Sequence, residues 1–323
     1  MGIQAGIVGM GRWGQVLVNA VHAKTDVIDV VAACTGRRAN AERYCNGKGI
    51  ELHDDLDDLL HDTSLDAIIL ATPHGQHADQ IVACAEAGKH VFVEKPFTMD
   101  KASAERAAAA CAKAGVVCAL GHNRRFLPAM ARLREIVANR EIGDALHVEA
   151  NISTPGNRHA ADHWRSDPAQ CPAGSMTGLG VHMTDALISV LGPITQVTAT
   201  SEIRTHGDIS SPVTFMTLRF QSGATGTFST LFQTASVWFM RVSGNQGWAT
   251  VRGYHRVATR LNRADEVLQN FDKTDIERAE LEAFAAAVSG GAPYPIPPDQ
   301  AVHGTAVFEA IIASVNSGKP VYL

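Results

Sequence analysis

Short apolar runs alternate with amphipathic stretches through the first third of the chain. Ile3, Ala5, Ile7 and Val8 open it, and residues 27–33, 67–71, 90–93 and 116–120 repeat the pattern. Runs of this length, bounded by glycine, proline or polar clusters, read as buried strands. Residues 15–22, 39–45, 54–60, 78–87 and 101–114 lie between them with helical spacing. Acids open the helix at 54–60, as the helix dipole favours, and Gly88 stands where the helix at 78–87 should stop. Strand and helix in strict alternation predict a parallel, doubly wound α/β sheet. The pattern changes after Gly121. An amphipathic helix is expected over 128–139 and a strand over 146–152. An irregular segment over 153–175 follows, rich in Pro, Gly, His and Asp, and then a helix reaching Val190. Residues 195–257 alternate in the period of strands, over 196–204, 213–221, 224–232, 237–244 and 248–252. Turns at Ser222-Gly223 and Asn245-Gln246-Gly247 predict antiparallel neighbours. Helices over 277–288 and 299–314 and a short tail at 319–323 close the chain.

Bulk properties narrow the class of protein. A chain of 323 residues suggests about two domains. The switch in pattern puts the boundary between 1–121 and 122–323, the second domain being α+β with a large, open, mostly antiparallel sheet. A net charge of −5, with basic residues only in pairs such as Arg37-Arg38 and Arg124-Arg125, argues against nucleic acid as a partner. No apolar run reaches the ~18 residues of a membrane helix. The chain enters its first strand without a basic segment and cleavage site, so no signal peptide is expected. None of the six cysteines forms a C-x-x-C pair, and most sit among apolar residues. They read as small hydrophobes in a reducing compartment, and a cytoplasmic location is the expectation.

The first chemical motif is Gly9-Met-Gly11-Arg12-Trp13-Gly14, between the first strand and the first helix. G-x-G-x-x-G in that setting is the fingerprint of a Rossmann dinucleotide-binding domain. Gly9 permits the tight turn, Gly11 lets the backbone approach a pyrophosphate, and Gly14 lets the helix pack close. The unpaired N–H groups at the helix start face the phosphates. A carboxylate usually ends the second strand of such a fold and binds the ribose 2′-hydroxyl. Thr35-Gly36-Arg37-Arg38 stands there instead. Arginine can pair with a 2′-phosphate that a carboxylate would repel, so NADP is expected ahead of NAD. Thr72-Pro73 through His77 and Glu94-Lys95-Pro96 follow buried strands, at the strand ends where ligands bind in such sheets. Lys95 can stabilise a developing alkoxide. A cis peptide at Pro96 is one arrangement that would aim it.

The glycine motif, Ala71-Thr72-Pro73 with His77, and Glu94-Lys95-Pro96 together resemble the Gfo/Idh/MocA oxidoreductases, over nearly the whole chain. The resemblance implies that Lys95 is the catalytic and nicotinamide-positioning lysine, and that the second domain's sheet mediates a homodimer or homotetramer. Trp164-Arg165 matches the family's marker before the catalytic helix. The family pattern G-G-x-x-x-D-x-G-x-H-x-x-D is met at Gly174, Gly180, His182 and Asp185, but Gly178 occupies the place of its aspartate. His182 is the expected proton donor or acceptor. Asp185, one helical turn on, is open between orienting the imidazole, binding a substrate hydroxyl and a purely structural role. The missing carboxylate leaves room at 178 for a bulkier or an acidic group. Cofactor contacts are expected from Gly9, Gly11, Arg12, Trp13, Gly14, Thr35, Arg37, Arg38, Thr72, Pro73, His77, Glu94 and Lys95. Substrate contacts are expected from Arg124, Arg158, His163, Trp164, Arg165 and Asp185. His159 and His163 have the spacing of a metal helix but lack its glutamate, so no metal is expected. The implied function is hydride transfer between a nicotinamide cofactor and a secondary alcohol or ketone of a sugar, polyol or cyclic diol. The alternatives are a cofactor-binding regulatory protein with little turnover, and a redox-assisted glycosidase or lyase with tightly held NAD.

Overall fold

The computed structural model describes residues 2–156, 170–173, 175–206 and 209–323. The chain divides into two compact units, Met1–Asn123 with Asp275–Thr305, and Arg124–Thr274 with Ala306–Leu323. The change of pattern at 121/122 thus falls two residues from the structural division. The return of 275–305 to the first unit has no signature in the linear sequence.

In the first unit, β1 (Ile3–Val8), β2 (Ile28–Cys34), β3 (Glu51–His53), β4 (Ala67–Leu70), β5 (His90–Glu94) and β6 (Cys118–Gly121) form one sheet in the order β3-β2-β1-β4-β5-β6. Every pairing is parallel. β4 is buried along its whole length and β5 from Val91 to Glu94, as strands covered on both faces must be. Strand order reverses direction between β1 and β4, the place where ligands bind in such sheets. The helices are α1 (Arg12–Val21), α2 (Arg38–Asn46), α3 (Leu56–His61), α4 (His77–Glu86) and α5 (Lys101–Ala114). Local chemistry starts and stops them. Asp55 caps α3 by accepting from the Asp58 N–H at 3.1 Å, and Asp100 caps α5 by accepting from Ser103 at 2.8 Å. Gly115 ends α5 in the left-handed region. The helix from the returning segment, which follows α6 (Pro128–Ala138) and α7 (Val181–Leu191) of the second unit and so is α8 (Ile276–Val288), packs beside α1 and β5, with Phe284 5.8 Å from Phe92 between ring centres. β3 escaped the sequence reading because Glu-Leu-His is too short and polar to show a period.

The second unit holds α6 (Pro128–Ala138) and a nine-stranded sheet in the order β14-β13-β12-β11-β7-β10-β9-β8-β15. Its strands are β7 (Ala145–Thr154), β8 (Ile194–His206), β9 (Ile209–Phe220), β10 (Thr225–Phe232), β11 (Val237–Gly244), β12 (Gly247–Arg252), β13 (Arg256–Leu261), β14 (Val267–Asn270) and β15 (Val321–Tyr322). The pairings are antiparallel except β7 with β10. Alternate residues are buried, among them Val148, Ala150, Ile152, Met216, Leu218, Phe228, Trp238, Met240 and Val242. They face α6 and α7 (Val181–Leu191). The other face carries Glu149, Phe215, Thr217, Arg219, Thr227, Phe239, Arg241 and Trp248, none of them buried. Phe228 and Trp238 are therefore core, while Phe232 and Phe239 are half-buried. β13, β14 and β15 were not expected. β14 is exposed throughout, and the tail at 319–323 becomes an edge strand against β8. The last helix, α9 (Pro298–Ser317), contributes residues to both units, and its Ser314 hydroxyl accepts from the Ala199 N–H at 2.9 Å within the second. All six cysteines are free thiols.

Candidate functional site

The glycine loop takes the form its three glycines require. Gly9 has φ +100, and a Cβ there would lie 2.5 Å from the Ala71 carbonyl oxygen, so no other residue fits the turn. A Cβ on Gly14 would collide with the Gly9 carbonyl. A Cβ on Gly11 would meet nothing within 4 Å. Gly11 caps α1 without a side-chain hydrogen bond, which leaves the first-turn N–H groups to a ligand. The residues present therefore fit a dinucleotide: a tight turn, an open space over Gly11 and an uncapped helix start. Arg12 is exposed and Trp13 half-buried.

Two further turns end neighbouring strands of the same sheet. After β4, Pro73 leads a short 3₁₀ turn, His74–Gln76, and the Thr72 hydroxyl donates to Gln80 Oε1 at 2.6 Å. After β5, the Lys95–Pro96 peptide is cis. His77 joins these turns. Its side chain is fully buried, with Nδ1 2.8 Å from the Pro96 carbonyl and Nε2 3.1 Å from that of Thr72. Burial lowers its pKa, against the pull of those carbonyls, so the ring is neutral and donates through one nitrogen. His77 was expected among the cofactor contacts; both of its nitrogens face carbonyls of the protein. The ring has no free edge, and its work is to tie the Thr72 turn to the Lys95-Pro96 turn.

Glu94 and Arg38, expected among the cofactor contacts, each have partners within the protein. The Glu94 carboxyl is buried beside Lys95, and Oε2 accepts from the Lys95 N–H at 3.2 Å. Burial pushes its pKa up to about 7, opposed by the Trp13 indole N–H and the Lys95 charge. It is an internal acid rather than a surface group awaiting cofactor. Arg38 pairs with Asp54 and donates to the Leu52 carbonyl at 3.1 Å, so its guanidinium is engaged at the end of β3. Arg37, just before α2, and Gly36 are exposed, with Thr35 half-buried beside them.

The second unit presents its own cluster. Met176–Gly180 form a π-helical turn that runs into α7. Such turns recur at functional sites because they aim side chains away from the regular helix. Hydroxyls anchor it: Ser175 donates to the Thr230 carbonyl at 3.2 Å and Thr177 to that of Pro172 at 2.6 Å. Gly178 is exposed within this turn, and a Cβ there would lie 3.8 Å from Phe232 Cζ, in ordinary contact. His182 is the second residue of α7 and 7% exposed. Of the roles open to Asp185, the contact observed is with Arg125. Its two oxygens accept from Arg125 Nε and Nη2, both at 2.8 Å, in a buried bidentate pair. Arg134 donates to the Arg125 carbonyl at 3.0 Å from the neighbouring helix α6. Arg124 stacks on Trp238 and Tyr254, 5.3 and 5.7 Å from the ring centres, and donates to the Tyr254 hydroxyl at 3.1 Å. Sequence reasoning missed Arg125, Phe232, Trp238 and Tyr254 as parts of this site. No local signal could have found Tyr254, which lies 130 positions from its partner Arg124.

Arg158, His163, Trp164 and Arg165 lie outside the described residues, as do His159 and Gly174. Among the described residues no group of three or more His, Cys, Asp or Glu could hold a metal. No helix among them is long and apolar enough to cross a membrane.

Comparison with known proteins agrees with this geometry. Residues 3–122 match the GFO/IDH/MocA description "Oxidoreductase family, NAD-binding Rossmann fold", and residues 130–250 match the "GFO/IDH/MocA C-terminal domain". The chain is 32% identical to a D-xylose 1-dehydrogenase (NADP(+)) of Haloferax volcanii, over 98% of this chain and 99% of that one. It is 29% identical to a scyllo-inositol 2-dehydrogenase (NAD(+)) of Bacillus subtilis, over 99% and 96%. Its fold matches that of the aldose-aldose oxidoreductase of Caulobacter crescentus with a TM-score of 0.88 over the full length of both chains, at 21% identity.

Proposed function

The chain belongs to the GFO/IDH/MocA oxidoreductase family, and from that premise we propose that it is an NAD(P)-dependent dehydrogenase acting on a secondary alcohol of a sugar, polyol or cyclic diol. The observation that carries this reading is the glycine loop after β1 together with Lys95 at the end of β5, in one parallel sheet. Gly9, Gly11, Gly14 and the first turn of α1 would hold the pyrophosphate, with Arg12 and Trp13 beside it and Thr72 and Pro73 flanking. When bound, the nicotinamide supplies or accepts the hydride.

The chain's own groups do the rest. The Lys95 ammonium stabilises charge that develops on the substrate oxygen. His182 takes the hydroxyl proton in oxidation and returns it in reduction. Arg124, fixed on its aromatic supports, offers donors to substrate oxygens, and Arg158, His163, Trp164 and Arg165 are further candidates. The names of the two relatives, a xylose and an inositol dehydrogenase, favour a polyhydroxylated substrate. Arg37 favours NADP over NAD through its charge. The side of the nine-stranded sheet bearing Phe215, Phe239 and Trp248 supports a homodimer or homotetramer, and the reduced cysteines support a cytoplasmic setting.

A panel of aldoses, cyclitols and cis-dihydrodiols, followed by nicotinamide absorbance with each cofactor, tests the reading. Turnover of at least one class is expected. No turnover of any, with NADP bound, would refute it.

A further inference from the structure

Glu94 is an enclosed acid at the end of a buried strand. It is 6% exposed and ends β5 next to Lys95. One oxygen accepts from the Lys95 backbone N–H. The other, Oε1, is buried and has no well-formed hydrogen bond among the described residues. The indole N–H of Trp13, in the glycine loop's helix, faces this carboxyl and is itself buried without a well-formed bond. Space is tight: a Cβ on Gly121, at the end of β6, would come 3.1 Å from Oε1 and from the Phe92 ring. Three ionisable or polar groups surround the carboxyl. They are Trp13 from α1, Lys95 from the turn after β5, and Glu277 from α8, whose Oε1 accepts from Asn123 Nδ2 at 2.9 Å.

We propose that Glu94 is a positioning residue that couples the glycine loop, through Trp13, to the aim of Lys95, and that the coupling element is a proton on its carboxyl. The argument rests on the reading above that a dinucleotide binds the glycine loop. A carboxylate has only acceptors, so the ionised form draws the Trp13 and Lys95 N–H groups toward it. The protonated form has a donor and releases one of them. Burial and the nearby Glu277 favour the proton, whereas the Lys95 ammonium opposes it. A pyrophosphate arriving at the helix start adds negative charge near Trp13 and shifts the balance toward the protonated form. Binding is then linked to proton uptake, so affinity falls as pH rises through the range where Glu94 ionises. Of the two buried histidines of these turns, burial lowers the pKa of His77, so it is neutral where Glu94 ionises, and the Glu94→Gln variant separates the effect from His74.

The test has one arm without cofactor and one with it. Tryptophan emission of the free protein is followed from about pH 5.5 to about pH 8.5 for wild type, Glu94→Gln and Trp13→Phe. Wild type should show a transition centred near neutrality that both variants lose. In the second arm, NADP dissociation constants are measured calorimetrically at the two ends of the range. Wild type should bind several-fold more weakly at the high end, and Glu94→Gln should lose that weakening. A transition that survives in Glu94→Gln, or an unchanged pH dependence of its NADP affinity, overturns the proposal. If NADP binds at no pH, the dinucleotide reading itself falls, and the emission arm still decides whether Glu94 holds the proton. Should Glu94→Gln fail to fold, difference infrared spectra of wild type against Glu94→Asp replace it. A protonated carboxyl band that disappears near neutrality in wild type and is displaced in Glu94→Asp supports the proposal, and its absence overturns it.

Discussion

Replacing Asp185 by Asn separates a structural acid from a substrate acid. Asp185 and Arg125 are each 8% exposed and joined through two bonds of 2.8 Å. Asparagine keeps the shape but removes the charge and turns one acceptor into a donor that faces a guanidinium. The buried Arg125 charge then lacks this carboxylate. Arg134 is close enough that Arg125 depresses its pKa while Asp185 raises it, although burial is the larger cause, so the variant leaves two guanidinium groups without their shared anion. Breaking a buried pair in this way costs about 3–5 kcal/mol. For a unit of this size that is roughly 6–20 °C in melting temperature. An exposed pair serves as control: Glu141→Gln breaks the bond to Arg132 at the surface and should cost under ~1 kcal/mol. The double variant Arg125→Met/Asp185→Leu removes both charges and should recover most of the loss. The assay is calorimetric melting beside steady-state kinetics. A melting temperature unchanged within about 2 °C, together with a tenfold or larger loss of kcat/KM, would show that Asp185 serves substrate and that the structural assignment is wrong.

The other expectations concern the site itself. Arg37→Ala should weaken NADP several-fold and leave NAD nearly unchanged, as measured by titration calorimetry; equal affinities in wild type would remove the 2′-phosphate assignment. Lys95→Ala and His182→Ala should each lower kcat by about 10²–10⁴-fold with the melting temperature retained, and normal turnover by His182→Ala would exclude its proton-transfer role. Gly178→Asp should fold, since its Cβ would meet Phe232 only at 3.8 Å, and should shift relative kcat/KM across the substrate panel; an unaltered ranking would place residue 178 away from substrate. Glu94 has a carboxyl held near 7 in the folded protein, above its unfolded value, so the folded chain binds this proton more tightly. Its contribution to stability is full below the unfolded value and is lost as pH rises through about 7. Glu94→Gln should therefore gain on wild type in melting temperature between about pH 5 and about pH 8, and a constant difference would contradict the burial argument.

Much of the architecture was legible because its physical causes are local. Continuous apolar runs can be satisfied only inside a covered sheet, and Gly9 and Gly14 mark turns where a Cβ has no room. The helix Lys101–Ala114 was found to the residue because Asp100 and Gly115 cap it. The glycine loop and the position of Lys95 were legible for the same reason: each is a short motif at the end of a strand. What stayed hidden is non-local. Strands β14 and β15 lack a strong period because they form the sheet's two edges, where neither face must be apolar, and β13 is a short strand in which only Val257 and Ala258 are buried. Asp185 could be read three ways from its helix spacing, since nothing near it in the chain shows that Arg125, 60 positions earlier, takes both its oxygens. Likewise, the sequence shows a Glu beside Lys95 but not that it is buried, and burial is what makes it an acid of altered strength. By itself, then, the sequence determined the alternation of elements, the glycine loop and the place of Lys95 at the end of a strand, because period, capping and turn chemistry act over a few residues. Only the tertiary structure decided which carboxylates are charged, paired or enclosed, because desolvation and hydrogen bonding depend on groups that meet only when the chain is folded.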